Sequence, residues 1–230
     1  ARSICNKASV LQDYILDSDS DLVAITETWV SQTNERRISA ELLPSGFDIK
    51  HAPRSKGKGG GIALVYRSTY QVQSVKTRQA ITTFESLEIS LSCRGQTVKF
   101  IIIYRLPSAK SAFHSEFYDF LSQQLNAHHH LVVLGDFNIQ WDQPDNHDTK
   151  LLHETMNAFS LLQHVTAPTH CRGHTIDLIF SPSAGDVISN VEVTSLLTDH
   201  HAVECVLKLH KPQLPKKNIS SRKLRTLDHQ

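Results

Sequence analysis

The sequence predicts a layered α/β protein of the α+β type, in which strands outnumber helices. Two observations lead to this prediction. Only three segments have apolar residues at helical spacing, so strands come in groups rather than alternating strictly with helices. Seven further segments are mostly rich in β-branched residues and bounded by turn formers: Asp21–Thr26, Gly61–Arg67, Phe84–Leu91, Thr97–Tyr104, Leu131–Gly135, Thr175–Phe180 and His201–Leu209.

The strand candidates fall into two kinds by their apolar pattern. GIALVY and FIIIY are nearly continuous apolar runs, which is typical of strands covered on both faces. LEISL and VECVL alternate apolar and polar residues, as a half-buried strand would. The sequence therefore predicts both central strands and strands with one solvent face.

The helix candidates are Lys7–Asp17, Ala112–Ala127 and Thr149–Leu162. In the second of them an apolar stripe lies along one face, as expected of a helix that packs on a core. That stripe consists of Phe113, Phe117, Phe120 and Leu121.

The composition is that of an ordinary soluble globular protein. At 230 residues the chain suits one large domain or two small ones, with 40% hydrophobic and 20% charged residues. No apolar run could span a bilayer, and no signal peptide opens the chain. It begins at Ala1 without Met, so we expect a fragment or a processed piece. The scattered cysteines are expected to be reduced thiols of an intracellular protein, although a disulfide stays open: Cys5, Cys93, Cys171 and Cys205.

Charge is distributed unevenly along the chain. The last twenty residues hold six Lys or Arg and one Asp, a net charge of +5, which leaves −4 for residues 1–210. We place the domain boundary near His210, and residues 211–230 form a basic, Pro-interrupted linker. A mildly acidic body argues against coating nucleic acid by bulk charge. A phosphate-binding site would need local positive groups or a bound cation.

Several strand candidates have a polar or ionisable residue at or near one end, where ligands bind in layered α/β folds. Each alone has an ordinary explanation, such as a turn, a surface residue or a packed tyrosine. Together they indicate a functional site. The residues concerned are Glu27, Tyr104, Asp136, Asn138, Asp177, Asp199 and His200.

This set suits phosphodiester hydrolysis. That reaction needs an activated water and positive charge beside the developing negative charge. Mg²⁺ prefers a few carboxylate or amide ligands plus waters. Asp136 could accept the proton of the attacking water, and His200 could donate to a phosphate oxygen if an acid such as Asp177 fixes its tautomer.

In their order along the chain, ITETW, IIIYRLP, VVLGDFN, TIDLIF and LLTDHHAV resemble the endonuclease/exonuclease/phosphatase superfamily. That superfamily includes pancreatic deoxyribonuclease and the apurinic/apyrimidinic endonucleases. With RSICNK, GGGIALVYR, YRLPSA and PTHCRGHTIDLIFS added, residues 1–210 are most similar to the endonuclease domains of non-LTR (LINE-type) retrotransposons. The resemblance implies a four-layered α/β sandwich of the DNase I-like type, with two packed, mainly antiparallel sheets flanked by helices.

The resemblance also implies roles. Glu27 and Asp199 match metal-site residues, and Tyr104 matches a tyrosine that contacts the scissile phosphate. Asp136 matches the aspartate that orients or deprotonates water, and Asn138 an asparagine that helps to hold phosphate and base. Asp177 and His200 match a buried Asp–His pair, and Thr169 a threonine of a hairpin region that meets DNA.

The implied activity is nicking of one strand of double-stranded DNA. The nick leaves a 3′-hydroxyl that primes reverse transcription by a downstream polymerase domain, to which residues 211–230 would lead. The implied cofactor is Mg²⁺, with Mn²⁺ as a substitute. We further expect a monomer that binds no membrane and is nuclear during target cleavage. The alternatives are an apurinic/apyrimidinic-type or small-molecule phosphodiesterase of the same superfamily, or a catalytically dead remnant.

Three departures from the family pattern matter. The family's first strand, with an asparagine, would lie before Ala1, so we expect it to be missing, which puts activity in doubt. Arg105-Leu106-Pro107 stands where relatives usually have Arg-Pro-Pro, from which we expect little effect. The segment between Thr169 and Asp177 is short, which predicts a small hairpin and weak sequence selectivity.

Other polar stretches carry weaker hypotheses. RSKGKGGG does not fit a phosphate-binding loop; we expect a hairpin loop whose Arg54, Lys56 and Lys58 touch DNA backbone. Trp141 is expected to be a packed loop aromatic rather than a base-stacking platform. Two groups of potential zinc ligands lack the spacing of a closed tetrahedral site, so solvated or hairpin histidines are favoured: residues 128–130, and His164, His170, Cys171 and His174.

Overall fold

The computed structural model describes residues 3–54, 57, 59–75, 81–93, 95–124 and 130–209. The part of the predicted second helix beyond residue 124 and the basic segment 211–230 lie outside this range. The elements in chain order are α1 (Ala8–Asp17), β1 (Leu22–Thr26), α2 (Glu35–Leu42), β2 (Phe47–Ala52), β3 (Ile62–Arg67), β4 (Gln71–Val75), β5 (Phe84–Cys93), β6 (Gln96–Arg105), α3 (Ala112–Gln124), β7 (Leu131–Asp136), α4 (His147–Ala158), β8 (Leu161–Gln163), β9 (Asp177–Pro182), β10 (Ile188–Leu196) and β11 (His201–Leu207).

Two layers of β-structure pack face to face. One is a six-stranded sheet in the order β4-β5-β6-β7-β9-β8, antiparallel except for the parallel pair β6–β7. The other layer consists of the three-stranded sheet β1-β3-β2 and the hairpin β10-β11. Both pieces of this second layer contribute side chains to the core that lies against the six-stranded sheet, including Ile62 and Leu64 from β3 and Ile188 from β10.

Helices cover the two outer faces. Leu11 and Ile15 of α1 and Ile38 of α2 pack on the outer face of β1-β3-β2. On the far side, the predicted phenylalanine stripe of α3 packs on the six-stranded sheet, where Phe84 meets three of its rings edge-on. The order helix, sheet, sheet, helix is the expected four-layered α/β sandwich, so the predicted fold class is confirmed.

Burial follows the predicted pattern in the central strands. β3 is buried from Ile62 to Tyr66, and β6 is buried from Val98 to Arg105. The half-buried prediction for β5 holds for the buried Leu87, Ile89 and Leu91 and the partly exposed Ser90, but it is wrong at Glu88, which is only 1% exposed. Its carboxylate lies 3.2 Å from the buried Lys99 ammonium, and this pairing makes the burial of a charge tolerable.

The prediction for the third helix is wrong at its C-terminal end. The observed helix, α4, begins at His147 after Asn146, whose side chain accepts from the backbone N–H of Asp148, and it ends at Ala158. Leu161 and Leu162, predicted as its last residues, belong to β8 and pair with β9. Continuous helical spacing across Ser160 concealed this boundary, where the chain turns with a φ of 53°.

The chain before β1 lies alongside its carboxyl end. Among the described residues β1 has a strand partner on one side only, which is β3. The backbone N–H groups of Ser3 and Ile4 donate to the carbonyls of Glu27 and Thr28, just beyond β1. Whether a further strand fills that edge stays a prediction. In the part of the chain that is described, no helix is long and apolar enough to cross a membrane.

Candidate active site

Four polar side chains form a row across the six-stranded sheet. Glu85 of β5 pairs in register with Tyr104 of β6, Tyr104 with Asp136 of β7, and Asp136 with Asp177 of β9. Residues paired in register point to the same face of a sheet. The end of the apolar run LVVLG therefore delivers Asp136 between a tyrosine and a second carboxylate.

The local sequence around Asp136 suits this geometry. Gly135 has a φ of 138°, and a Cβ there would lie 1.9 Å from the carbonyl oxygen of Ile103 on β6, so only glycine fits. Asn138 has a φ of 49°, a left-handed conformation that asparagine tolerates better than most residues. Its backbone N–H donates to Asp136 Oδ1 at 2.9 Å. Gly-Asp-Phe-Asn is thus a sharp turn that fixes one carboxylate.

Asp136 is deeply buried, with 3% of its surface exposed. Burial and, after it, the nearby charge of Asp177 raise the pKa of this carboxyl to about 7, although His200 and the Asn138 N–H act in the opposite direction. A carboxyl group with a pKa near neutrality can gain and lose a proton at the pH at which a base must work.

Asp177 and His200 form the predicted pair. His200 Nδ1 lies 2.8 Å from Asp177 Oδ2, and since a carboxylate accepts, the imidazole Nδ1–H is the donor. Burial alone would lower the pKa of His200, but the hydrogen bond and charge of Asp177, together with the charge of Asp136, raise it overall. The imidazole is therefore oriented by Asp177 and biased towards its charged form.

Tyr104 links this row to Glu27. Its hydroxyl donates to Glu27 Oε1. Burial, then the hydrogen bond and charge of Glu27, raise the pKa of Tyr104 well above its ordinary value, so the phenol keeps its proton. Glu27 has a φ of 55° at the point where the chain leaves β1, which makes it an unusual backbone position for a glutamate.

Arg54 lies in the connection between the antiparallel strands β2 and β3, as expected of a hairpin loop, and its side chain lies beside Tyr104. Its guanidinium pairs with Glu85 and sits 5.9 Å from the centre of the Tyr104 ring. Glu85 Oε2 also accepts from the backbone N–H of Gly61 at 2.6 Å. The predicted contact of Arg54 with DNA backbone stays a prediction, and Lys56 and Lys58 lie outside the described residues.

Two groups of three ionisable side chains lie close enough to hold a metal ion in the described part of the chain. One ligand atom from each member lies within 4.8 Å of the others. The groups are Asp136, Asp177 and His200, and His170, Asp199 and His200. Neither includes Glu27, so the predicted sharing of a metal between Glu27 and Asp199 stays a prediction.

The structure does not support direct DNA contact by the side chain of Thr169. This residue is fully buried, and its hydroxyl accepts from the backbone N–H groups of Ile176 at 3.1 Å and Asp177 at 3.0 Å. The threonine instead fixes the start of β9. It supports the position of Asp177, and through it the orientation of His200.

Sequence reasoning missed Arg105 as part of the site. Its side chain donates to the carbonyl of Asn138 at 3.2 Å, while Asn138 Nδ2 donates back to the Arg105 carbonyl at 2.9 Å. Arg105 is 3% exposed and also bonds Asp148 at 3.2 Å. A charged residue directly after the apolar run FIIIY was the available signal, since a charge at such a position is buried only with partners.

The suspected zinc ligands that the structure describes do not converge as a set, and residues 128 and 129 lie outside the described part of the chain. His164 pairs with Ser181 at 2.8 Å, and His174 pairs with Asp142 at 2.9 Å. Trp141 stacks on His153 with ring centroids 3.7 Å apart, as expected of a packed aromatic. Among the suspected ligands that the structure describes, His170 places its ring next to the site, edge-on to that of His200 at 4.9 Å.

Comparison with known proteins gives the family. A family model described as the Endonuclease/Exonuclease/phosphatase family matches residues 5–200, a range that contains Glu27, Tyr104, Asp136, Asp177 and His200. The chain belongs to this family. Its members hydrolyse phosphate esters, which agrees with the chemistry expected of the site. A search of curated proteins gave no significant match.

Solved structures of the endonuclease/exonuclease/phosphatase family share the fold. The endonuclease domain of TRAS1, a telomere-specific non-LTR retrotransposon, has a TM-score of 0.67 and 16% identity, with 88% of this chain and 91% of that chain covered. The AP endonuclease LMAP from Leishmania major gives 0.68 and 12%, with 88% and 82% covered. The 3′ phosphatase NExo from Neisseria gives 0.67 and 18%, with 90% and 96% covered. At these identities the likeness concerns the fold alone.

Proposed function

We propose that this member of the endonuclease/exonuclease/phosphatase family is a divalent-metal-dependent DNA endonuclease. It nicks one strand of double-stranded DNA and leaves a 3′-hydroxyl that primes reverse transcription in retrotransposition. The observation that carries the hydrolytic part is the buried Asp136 carboxylate beside the Asp177–His200 pair, at the end of β7.

Asp136 is the base of the reaction. Its raised pKa makes the carboxylate a stronger proton acceptor than an exposed aspartate, and the Asn138 N–H holds one of its oxygens at a fixed position. The other oxygen is the one that would accept the proton of the attacking water. General base catalysis of this kind contributes about 10²–10⁴ in rate.

His200 and Tyr104 act on the phosphate. Asp177 raises the pKa of His200 and so favours its charged form, whose remaining ring N–H can donate to a non-bridging phosphate oxygen. The Tyr104 phenol also keeps its proton; it donates that proton to Glu27 before substrate binds and would exchange this acceptor for a phosphate oxygen. Donors fixed before the reaction stabilise the charge that develops at phosphorus without reorganising.

A divalent cation fits the donors of the site. Carboxylate oxygens of Glu27 and Asp199 are the hard ligands that Mg²⁺ and Mn²⁺ prefer, and these two residues would hold it. When bound, the cation supplies positive charge beside the phosphate. The acidic body of residues 1–210 is consistent with neutralisation by a cation rather than by a basic protein surface.

Retrotransposition is the proposed context because the ordered motifs of the whole domain are most similar to LINE-type endonuclease domains. The TRAS1 domain among the structural relatives has that origin. In this proposal residues 211–230 lead to a reverse transcriptase domain, the domain acts as a monomer without a membrane partner, and target cleavage takes place in the nucleus.

Nicking of supercoiled plasmid tests the proposal. The chain should convert supercoiled to open-circular DNA with Mg²⁺, and EDTA should stop the reaction. Asp136→Asn should lower the rate by at least about 10²-fold, whereas Asp145→Asn, which changes an exposed carboxylate on a loop, should not. The nick should be extendable by a DNA polymerase without phosphatase treatment, since it carries a 3′-hydroxyl.

Two outcomes would change the assignment. Cleavage of an abasic duplex far faster than an intact duplex would assign the chain to the apurinic/apyrimidinic type. A folded protein that nicks neither substrate, and hydrolyses no simple phosphodiester, would be a dead remnant.

A further inference from the structure

Next to the proposed catalytic pair lies a second set of ligand atoms. His170, Asp199 and His200 each place one ligand atom within 4.8 Å of the other two, and all three side chains are partly exposed to solvent. His200 belongs to the proposed mechanism, whereas His170 has no role in it.

Backbone contacts hold the three residues together. His170 and His200 form an isolated antiparallel bridge, and His201 N–H donates to the Thr169 carbonyl at 2.7 Å. Cys171 N–H donates to the Asp199 carbonyl at 2.8 Å. The two loops are thus joined on both sides of the bridge, so their side chains are brought together before any ligand binds.

The donor set differs from that expected for Mg²⁺. Two imidazoles and one carboxylate favour zinc and similar transition metals, whereas Mg²⁺ prefers oxygen ligands. His200 also has the support typical of a zinc-binding histidine, because its Nδ1–H donates to Asp177 and leaves Nε2 for a metal.

We propose that His170, Asp199 and His200 form a zinc site, open to one or more waters, that inhibits the enzyme when occupied. A zinc ion on Nε2 of His200 removes the N–H that would donate to phosphate. It also competes for Asp199. The inhibitory part rests on the proposed nuclease function, whereas zinc binding itself does not.

Zinc binding is measured first, by competition with a chromogenic zinc indicator on the full chain in the absence of DNA. We expect one tight zinc equivalent, and His170→Asn should weaken its binding at least about 10-fold. His174→Asn is the matched control, because this histidine lies in the same hairpin but pairs with Asp142 outside the cluster. Its zinc affinity should equal that of the parent.

The donor atoms are tested with Co²⁺ in place of zinc. The visible spectrum should be that of nitrogen and oxygen ligands, without the near-ultraviolet thiolate band that the neighbouring Cys171 would add. That band would overturn the proposed ligand set. Equal zinc affinity of the parent and His170→Asn, or no tight binding by either, would overturn the site.

Inhibition is measured last, as Mg²⁺-dependent nicking at rising zinc concentration. Each rate is expressed relative to the same protein without zinc. The zinc concentration for half-inhibition should rise at least about 10-fold in His170→Asn and not in His174→Asn. Tight zinc binding through His170 without any inhibition would overturn the inhibitory role while leaving the site. Failure of the nuclease proposal would appear separately, as absence of nicking without zinc.

Discussion

Replacing Asp136 by Asn should stabilise the fold while it abolishes activity. The carboxylate is buried, and its pKa lies at about 7 instead of the ordinary 3.8. A folded-state pKa above the unfolded value means that the folded protein holds a proton that the unfolded chain has already released. Stability is therefore lost as pH rises from about 3.8 to about 7, and it stays lost above that pH.

The size of the effect follows from the two pKa values. One pKa unit corresponds to about 1.4 kcal/mol, so the ionised Asp136 costs up to about 4 kcal/mol above pH 7. Asparagine has no charge to bury, and its side-chain oxygen can still accept from the Asn138 N–H. The free energy of unfolding of Asp136→Asn, relative to that of the parent, should rise by about 2–3 kcal/mol between pH 5 and pH 8.

Urea unfolding followed by circular dichroism, in EDTA and at both pH values, measures this difference. Asp145→Asn is the control, because its exposed carboxylate should change stability by less than about 0.5 kcal/mol at either pH. The reasoning is refuted if Asp136→Asn has the same advantage at pH 5 and pH 8, or if it is less stable than the parent at pH 8.

Three further predictions concern the neighbours of this carboxylate. Gly135→Ala should lower the free energy of unfolding by more than about 3 kcal/mol or prevent folding. Gly173→Ala, where a Cβ meets nothing, should lower it by only about 1 kcal/mol. Urea unfolding of both variants measures the difference. Thr169→Val should lower the free energy of unfolding by about 1–3 kcal/mol, because two buried N–H groups lose their acceptor. Thr169→Ser keeps the hydroxyl and should retain most of the stability of the parent. Asp177→Asn should move the alkaline limb of the pH–rate profile of nicking to lower pH, because the pKa of His200 loses the partner that raises it. An unmoved limb would remove the pair from the mechanism.

The sequence predicted the helices and strands that have strong hydrophobic patterns. The continuous apolar runs of β3 and β6 and the phenylalanine stripe of α3 carry the burial seen in the structure. Five elements were not predicted, because they are short or mostly half-exposed and their hydrophobic periodicity is weak. They are α2, β2, β4, β8 and β10. The buried charge of Glu88 was not predicted either, because it depends on an ion pair with Lys99 of the neighbouring strand that the linear sequence does not show.

The sequence predicted the residues of the site but not the register of the strands that carry them. Polar residues at strand ends mark Tyr104, Asp136 and Asp177, yet their alignment depends on how three strands pair, which the linear sequence does not specify. Buried Thr169 illustrates the consequence. A hydroxyl in a hairpin motif suggests an exposed contact, whereas the fold uses it to bind two backbone N–H groups.

The supports of Asp136 explain how the fold keeps a carboxylate where it is unfavourable. Gly135 allows the close approach of β6, and the reciprocal hydrogen bonds between Arg105 and Asn138 fix the turn that follows. None of these contacts neutralises the carboxylate directly, so its raised pKa persists in a well-ordered setting. Enzymes commonly place such destabilised groups where a proton must be taken at neutral pH. The free energy of unfolding that Asp136→Asn should gain therefore measures what the folded protein loses by holding this base ionised and buried.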